Sequence, residues 1–334
     1  MSSQAREQAL LSEYKGNLFE FLIAKSLANK LNLEMHFLTS LPAGFSEMLR
    51  IQESFIREFY PFLLTDLPVL AEKLSDELIK ILKLKTSKIT DIVIVGKSAL
   101  AAQNTTFGEA DIILKSNKKF FPISLKLSKE NAFVNTKSAG LKSFFSKYFV
   151  ELDEKHLNQI QKEFNQNVEF FISEFANEVH RNHDLSFNGN FDEWLSLGLP
   201  SLSGELNEKD REIYKELLYK INDCLYENVK TIFSKYSDSV AKCLWPLLGY
   251  SDKEVIQATS YYKSSKESYT HYKSVVELLE STIDSSGVFK LGDRKKTAAN
   301  FDILAKDRTL QLRVKAMNKF TSKSFKINCS VKIN

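Results

Sequence analysis

Apolar residues recur at helical spacing along residues 4–32, where Leu10, Leu11, Tyr14, Leu18, Phe21, Leu22 and Leu27 would line one face of a helix. Gly16 is the weak point of that pattern. Glu20 lies within it, between Phe19 and Phe21. Further helices are predicted near 43–60 and 66–84, each with a proline near its start. The pattern then shortens to the β-branched run Ile89–Val95, a strand that ends at Gly96. Ile112–Leu114 and Phe120–Leu127 follow as strand-like runs around the polar turn Ser116-Asn117-Lys118-Lys119. A turn centred on Asn117 and Lys118 pairs residues whose numbers sum to 235. Asp111 then faces Ser124, and Glu109 faces Lys126. Opposed residues share a side of the ribbon, as do residues two apart on one strand. Two carboxylates, a hydroxyl and an ammonium therefore fall on one patch.

Helical spacing returns at about 138–149 and 152–180. Residues 188–204 are rich in Gly, Asn, Ser and Pro and read as a loop and a boundary. Helices are predicted near 207–235 and 252–282. Strands close the chain at Val288–Leu291, Phe301–Ala305, Leu310–Val314 and Phe325–Ile333. These terminal strands either join the hairpin's sheet or form a separate basic module. The pattern predicts an α-rich α/β (α+β) protein with a small mixed central sheet flanked by helices and a large helical insertion. Its expected divisions are a core over 1–150, a helical region over 151–285 and a basic β-rich segment over 286–334. The helical region would clamp DNA or join subunits.

The 334 residues, 43% apolar and 26% charged, suit a globular chain of one large domain or two. The net charge of +4 is unevenly spread. From Lys290 onward there are 12 Lys and Arg against 3 Asp and Glu, so a basic tail follows a slightly acidic body. Such a tail suits a polyanion partner, or else a solvated lysine-rich surface. Cys224, Cys243 and Cys329 are too few and scattered for a disulfide framework or a zinc site, and read as free thiols of a reducing compartment. The sequence shows no long apolar leader or spanning run, which points to the cytosol.

Hydrolysis of a phosphodiester calls for a metal, an activated water and positive charge at the transition state. Carboxylates hold magnesium, and a lysine orients water or offsets charge. The order helix with Glu20, strand with Asp111, strand reading Ser124-Leu125-Lys126, then helix resembles the PD-(D/E)xK nuclease superfamily. Ile123-Ser-Leu-Lys-Leu, the run from Asn135 to Phe145, and the tail around Leu310–Thr321 and Lys326–Lys332 look like its bacterial type II restriction endonucleases.

The resemblance implies a restriction-endonuclease-like fold, a Mg2+ ion, double-stranded DNA as substrate, a homodimer and a cognate DNA methyltransferase as genetic partner. It places catalysis on Asp111, Ser124, Lys126, Glu20 and Glu109, with metal on Asp111, Glu20 and Glu109. DNA contacts are implied for Lys129, Asn135, Lys137, Arg313, Lys315, Asn318, Lys319 and Lys323. Two departures stand out: Ala110 replaces a proline, and Ser124 stands where the family has Asp or Glu. Glu109 is the acid expected to compensate.

Other readings compete. Asp111 and Lys126 also suit an ordinary cross-strand ion pair. Val95-Gly96-Lys97-Ser98 followed by Glu109 and Asp111 looks similar to nucleotidyltransferases, which set a Gly-Ser turn before two metal-binding acids. A non-catalytic DNA-binding protein would use the basic tail and the interleaved Tyr261, Tyr262, Lys263, Lys266, Tyr269, His271, Tyr272 and Lys273, although aromatics at such spacing more often form core. Asp302–Lys315 echoes the hairpin and reads as a basic ribbon for the DNA backbone or a structural pair. His180 and His183 read as an exposed helix end.

Overall fold

The computed structural model describes residues 2–85, 88–95, 110–117, 119–200, 203–250, 254–279, 289–317, 320 and 324–333, with the side chains of 2–6, 84–85 and 238 left aside. Among them are eight α-helices and two five-stranded sheets, one mixed and one antiparallel, so the protein is a mixed α/β chain. The chain forms two compact units, each discontinuous in sequence. One comprises residues 6–132 with 250–282, and the other 1–5, 133–249 and 283–334. The divisions expected at 150 and 285 do not coincide with these units.

The first unit holds α1 (Ser2–Lys30), α2 (Glu34–Thr39), α3 (Phe45–Phe59) and α4 (Leu63–Lys85) against a sheet. The sheet contains β1 (Ile89–Ile94), β2 (Ile112–Ser116), β3 (Phe120–Lys129), β5 (Val255–Ser264) and β6 (Tyr269–Leu279) in that spatial order. All neighbours are antiparallel except β3 and β5, which are parallel. Alternation sends Ile92, Ile94, Ile112, Leu114, Phe121, Ile123, Leu125, Ile256 and Ala258 to one face. There they join Phe19, Ile23 and Leu27 of α1 and Leu67, Leu70, Leu74 and Leu78 of α4 in one core. The hairpin register is the one the turn dictates, with Ile112 opposite Ile123 and Leu114 opposite Phe121. Pro122 lacks a ladder donor. It sits on a central strand, one residue before the parallel ladder to β5 begins at Ile123.

The predicted helix over 252–282 is instead the β5–β6 hairpin. Tyr261, Tyr262, Tyr269 and Tyr272 fit helical spacing, but Ile256, Ala258 and Tyr262 also alternate with period two and are buried. Tyr262 and Tyr269 stack with ring centroids 4.0 Å apart, and the Lys15 ammonium lies over both. Most of this aromatic set is structural.

The second unit pairs α6 (Glu154–Asn182) with α7 (Glu208–Lys235) as an antiparallel hairpin. The predicted boundary loop at 188–204 is their connection. Its ends are joined by Asp210, which is fully buried. The Asp210 carboxylate accepts from Asn182 Nδ2 (2.8 Å) and Asn207 Nδ2 (2.6 Å) and meets His183 Nε2 at 2.8 Å. Asn207 in turn caps α7 by accepting from the Asp210 N–H at 2.9 Å. His183 is therefore an anchor of the helix pair. His180 is buried, with its ring against Phe187 and Trp194.

The unit's sheet runs β4 (Val134–Gly140), β10 (Phe325–Ile333), β9 (Arg308–Ala316), β8 (Asn300–Leu304) and β7 (Lys290–Leu291), all antiparallel. The terminal strands thus make their own sheet. The start of the predicted 138–149 helix belongs to β4, and only Phe144–Tyr148, here α5, is α-helical. The expected large helical insertion over 151–285 is corrected in the same way: α6, α7 and α8 (Ser237–Leu244) pack with this sheet's unit, while β5 and β6 complete the other. Gly292 approaches β8 so closely that a Cβ would stand 2.8 Å from the Asp302 carbonyl oxygen, which only glycine permits.

All three cysteines are free thiols. Burial pushes the Cys243 thiol up to about 11 and also raises that of Cys224. Iodoacetamide at pH 8 is therefore expected to modify both slowly in the native chain and completely in denaturant; rapid native labelling of Cys243 would contradict its burial.

Candidate active site

Asp111 sits at the N-terminal end of β2, where the regular ladder stops. Its N–H donates to the Ile123 carbonyl at 2.8 Å. Its carboxylate accepts from the Leu125 N–H at 2.6 Å. Its own carbonyl accepts from the Val95 N–H at 2.9 Å. Asp111 is thus tied to the residues on both sides of Ser124 and to the end of β1. A carboxylate so anchored starts with little rotamer freedom left to lose.

Ser124 is buried on β3, and Lys126 is half-buried two residues on, on the same face. Among the described residues no ion pair joins Asp111 to Lys126. The cross-strand ion pair is therefore not what holds this corner: Asp111 takes a backbone N–H instead. That face also carries an ion pair at its other end, where Lys115 reaches Asp91 at 3.0 Å.

The parallel strand β5 adds groups that the helical reading of 252–282 concealed. Gln257 lies beside Ser124 and Thr259 beside Lys126, and Glu277 of β6 faces Gln257. Ser124, Gln257 and Glu277 form one row across three strands. The alternation in Val255-Ile-Gln-Ala-Thr was the signal that would have found them.

Glu20 is half-buried on α1, the helix whose apolar side enters the core on the other face of the sheet. Glu109 lies outside the described residues, as do Gly96, Lys97 and Ser98 of the nucleotidyltransferase-like turn. Among the described residues no group of three or more His, Cys, Asp and Glu is gathered as a metal cage. Asp111 is the one sequence-predicted acid that the structure fixes at this corner among the described residues.

The DNA-contact candidates divide between the units. Lys129 is exposed at the end of β3. Asn135 and Lys137 lie on β4, and Arg313 and Lys315 on β9, all in the second sheet. Asn318, Lys319 and Lys323 lie outside the described residues. No described helix is long and apolar enough to cross a membrane. No protein-family model matches the chain, and comparison with curated proteins and with solved structures returns no match.

Proposed function

We propose that the chain is a magnesium-dependent, sequence-specific endodeoxyribonuclease of the type II restriction kind, acting on double-stranded DNA in host defence. The observation that carries this reading is the tether of Asp111 across Ser124, with Lys126 next along β3. A carboxylate fixed next to the strand that carries Lys126, whose ammonium has no ion-pair partner among the described residues, suits metal-assisted hydrolysis. Asp111 would hold Mg2+, Glu109 would complete its coordination, and Ser124 would offer a neutral oxygen to the ion or its water. Lys126 would orient the attacking water or stabilise the charge on phosphorus. Magnesium keeps several waters of its own, so a site with few protein ligands remains compatible with it.

The restriction-endonuclease-like fold belongs to the same proposal. Support for it comes from a helix-backed mixed sheet with Asp111 and Lys126 on adjacent central strands. Cutting both strands calls for two such sites, hence a homodimer, and a methyltransferase encoded nearby would protect host DNA.

Plasmid and phage DNA incubated with the protein in magnesium should yield discrete fragments, and none in chelator. Absence of fragments across varied substrates would overturn the reading. Within it, Glu109→Gln is expected to slow cleavage at least tenfold by removing a metal ligand. A variant cutting at the wild-type rate would remove Glu109 from the site.

A further inference from the structure

The second unit's sheet has one apolar and one polar face. Leu310, Leu312 and Val314 of β9 and Phe325, Ile327 and Cys329 of β10 point inward and are buried. The residues between them point outward: Arg313 and Lys315 are exposed on β9, and Lys326, Asn328 and Lys332 are partly so on β10. The register sets Lys315 beside Lys326 and Arg313 between Asn328 and Asn300. The acid on this face among the described residues is Asp302, and Gln311 donates to it at 3.0 Å.

We propose that this outer face grips the phosphate backbone of duplex DNA, and that the protein divides its labour: cleavage in the unit with Asp111, grip in the unit with Arg313. The choice of DNA rests on the endonuclease reading. Charge complementarity supplies the attraction, since cations on neighbouring strands release counterions when they neutralise phosphates. The amide side chains of Asn300, Asn328 and Gln311 add neutral hydrogen-bonding groups. The side chains on this face argue for a duplex over a single strand. Single-strand binders offer aromatic platforms for unstacked bases, and among the described residues this face has none.

The test is binding of a fluorescent duplex of about 25 base pairs to the full chain in chelator, read by anisotropy against salt. R313A/K315A/K326A is expected to bind at least tenfold more weakly near 0.1 M salt. Its log–log salt slope should fall by about 2–3, close to 0.9 per lost phosphate contact. The control K155A/K162A/K209A removes the same charge from exposed helical positions of the same unit and should stay within twofold of wild type. R313Q/K315Q provides the same reading if the triple variant fails to fold. No wild-type binding, equal losses in both triples, or tighter binding to a single strand of equal length would each overturn the proposal. Weakened binding by the triple in a protein that never cleaves would support this face while sinking the nuclease reading.

Discussion

Asp111→Asn is expected to abolish magnesium-dependent cleavage while leaving the fold and chelator-phase DNA binding intact. The separation follows from the two tasks of this side chain. One oxygen accepts from the Leu125 N–H, and an asparagine carbonyl oxygen can do the same. In the proposed mechanism the carboxylate also brings negative charge to a metal, which an amide cannot. Asp111→Ala should remove both and cost about 1–3 kcal/mol of stability, because the Leu125 donor loses its acceptor. Lys126→Ala completes the set. Lys126 is half-buried and outside the core, so its loss should leave stability unchanged and lower the cleavage rate by about 10²–10⁴-fold. Urea unfolding beside a plasmid-nicking time course measures both effects. A fully active Asp111→Asn protein would make the residue a strand-end cap and nothing more. A Lys126→Ala protein that still nicks at the wild-type rate would remove the lysine from the cleavage chemistry, whereas retained nucleotide transfer without nicking would favour the nucleotidyltransferase-like reading.

The second large effect is structural. Asp210→Ala is expected to destabilise the α6–α7 unit by about 3–5 kcal/mol, a large share of the 5–15 kcal/mol typical of a domain. Asp210 is fully buried, so its removal strands Asn182, Asn207 and His183, and water cannot readily replace it. Asp210→Asn is no gentle substitute: its new N–H2 would face donors already in place. The denaturation midpoint checks this, and a loss below about 1 kcal/mol would show that the cluster relaxes around the gap. DNA cleavage by any surviving folded Asp210→Ala protein should match wild type, since Asp210 is remote from Asp111 in sequence and has only a structural task.

The hairpin was legible because a short polar turn between strand-like runs leaves few registers, and alternation rejects a one-residue slip. That same logic set Asp111 across from Ser124, whereas the regular ladder stops at Ile112 and the Asp111 N–H donates to Ile123. It did not show that the Asp111 side chain would replace a ladder carbonyl at Leu125, because a strand's last hydrogen bond is set by neighbouring backbone. β4 escaped notice because Asn135-Thr-Lys-Ser-Ala-Gly is nearly all polar or small, and its partner among the described residues is the distant β10. The β5–β6 error was a choice of period: tyrosines and lysines suited both templates, and the buried row Ile256, Ala258, Tyr262 decided for the strand. The two units themselves leave no local trace. A chain that departs from a sheet, builds a second unit and returns shows near its crossings only turn residues such as Asn131 and Gly249, which any loop could use.

That departure and return has a price in time. β3 ends at Lys129 and its parallel partner β5 begins at Val255, so on a ribosome the central strand emerges long before its neighbour. At roughly 5–20 residues per second, β3 waits about 6–25 s with an open edge. An unpaired central strand of Phe, Ile and Leu is a template for the wrong strand. The intervening unit is then more than cargo on the crossover. Once its α6–α7 hairpin folds, it shortens the effective loop between β3 and β5 and lowers the entropy of closing it. Destabilising that hairpin should therefore lower the yield of folded chain during synthesis, even at temperatures where the finished protein survives.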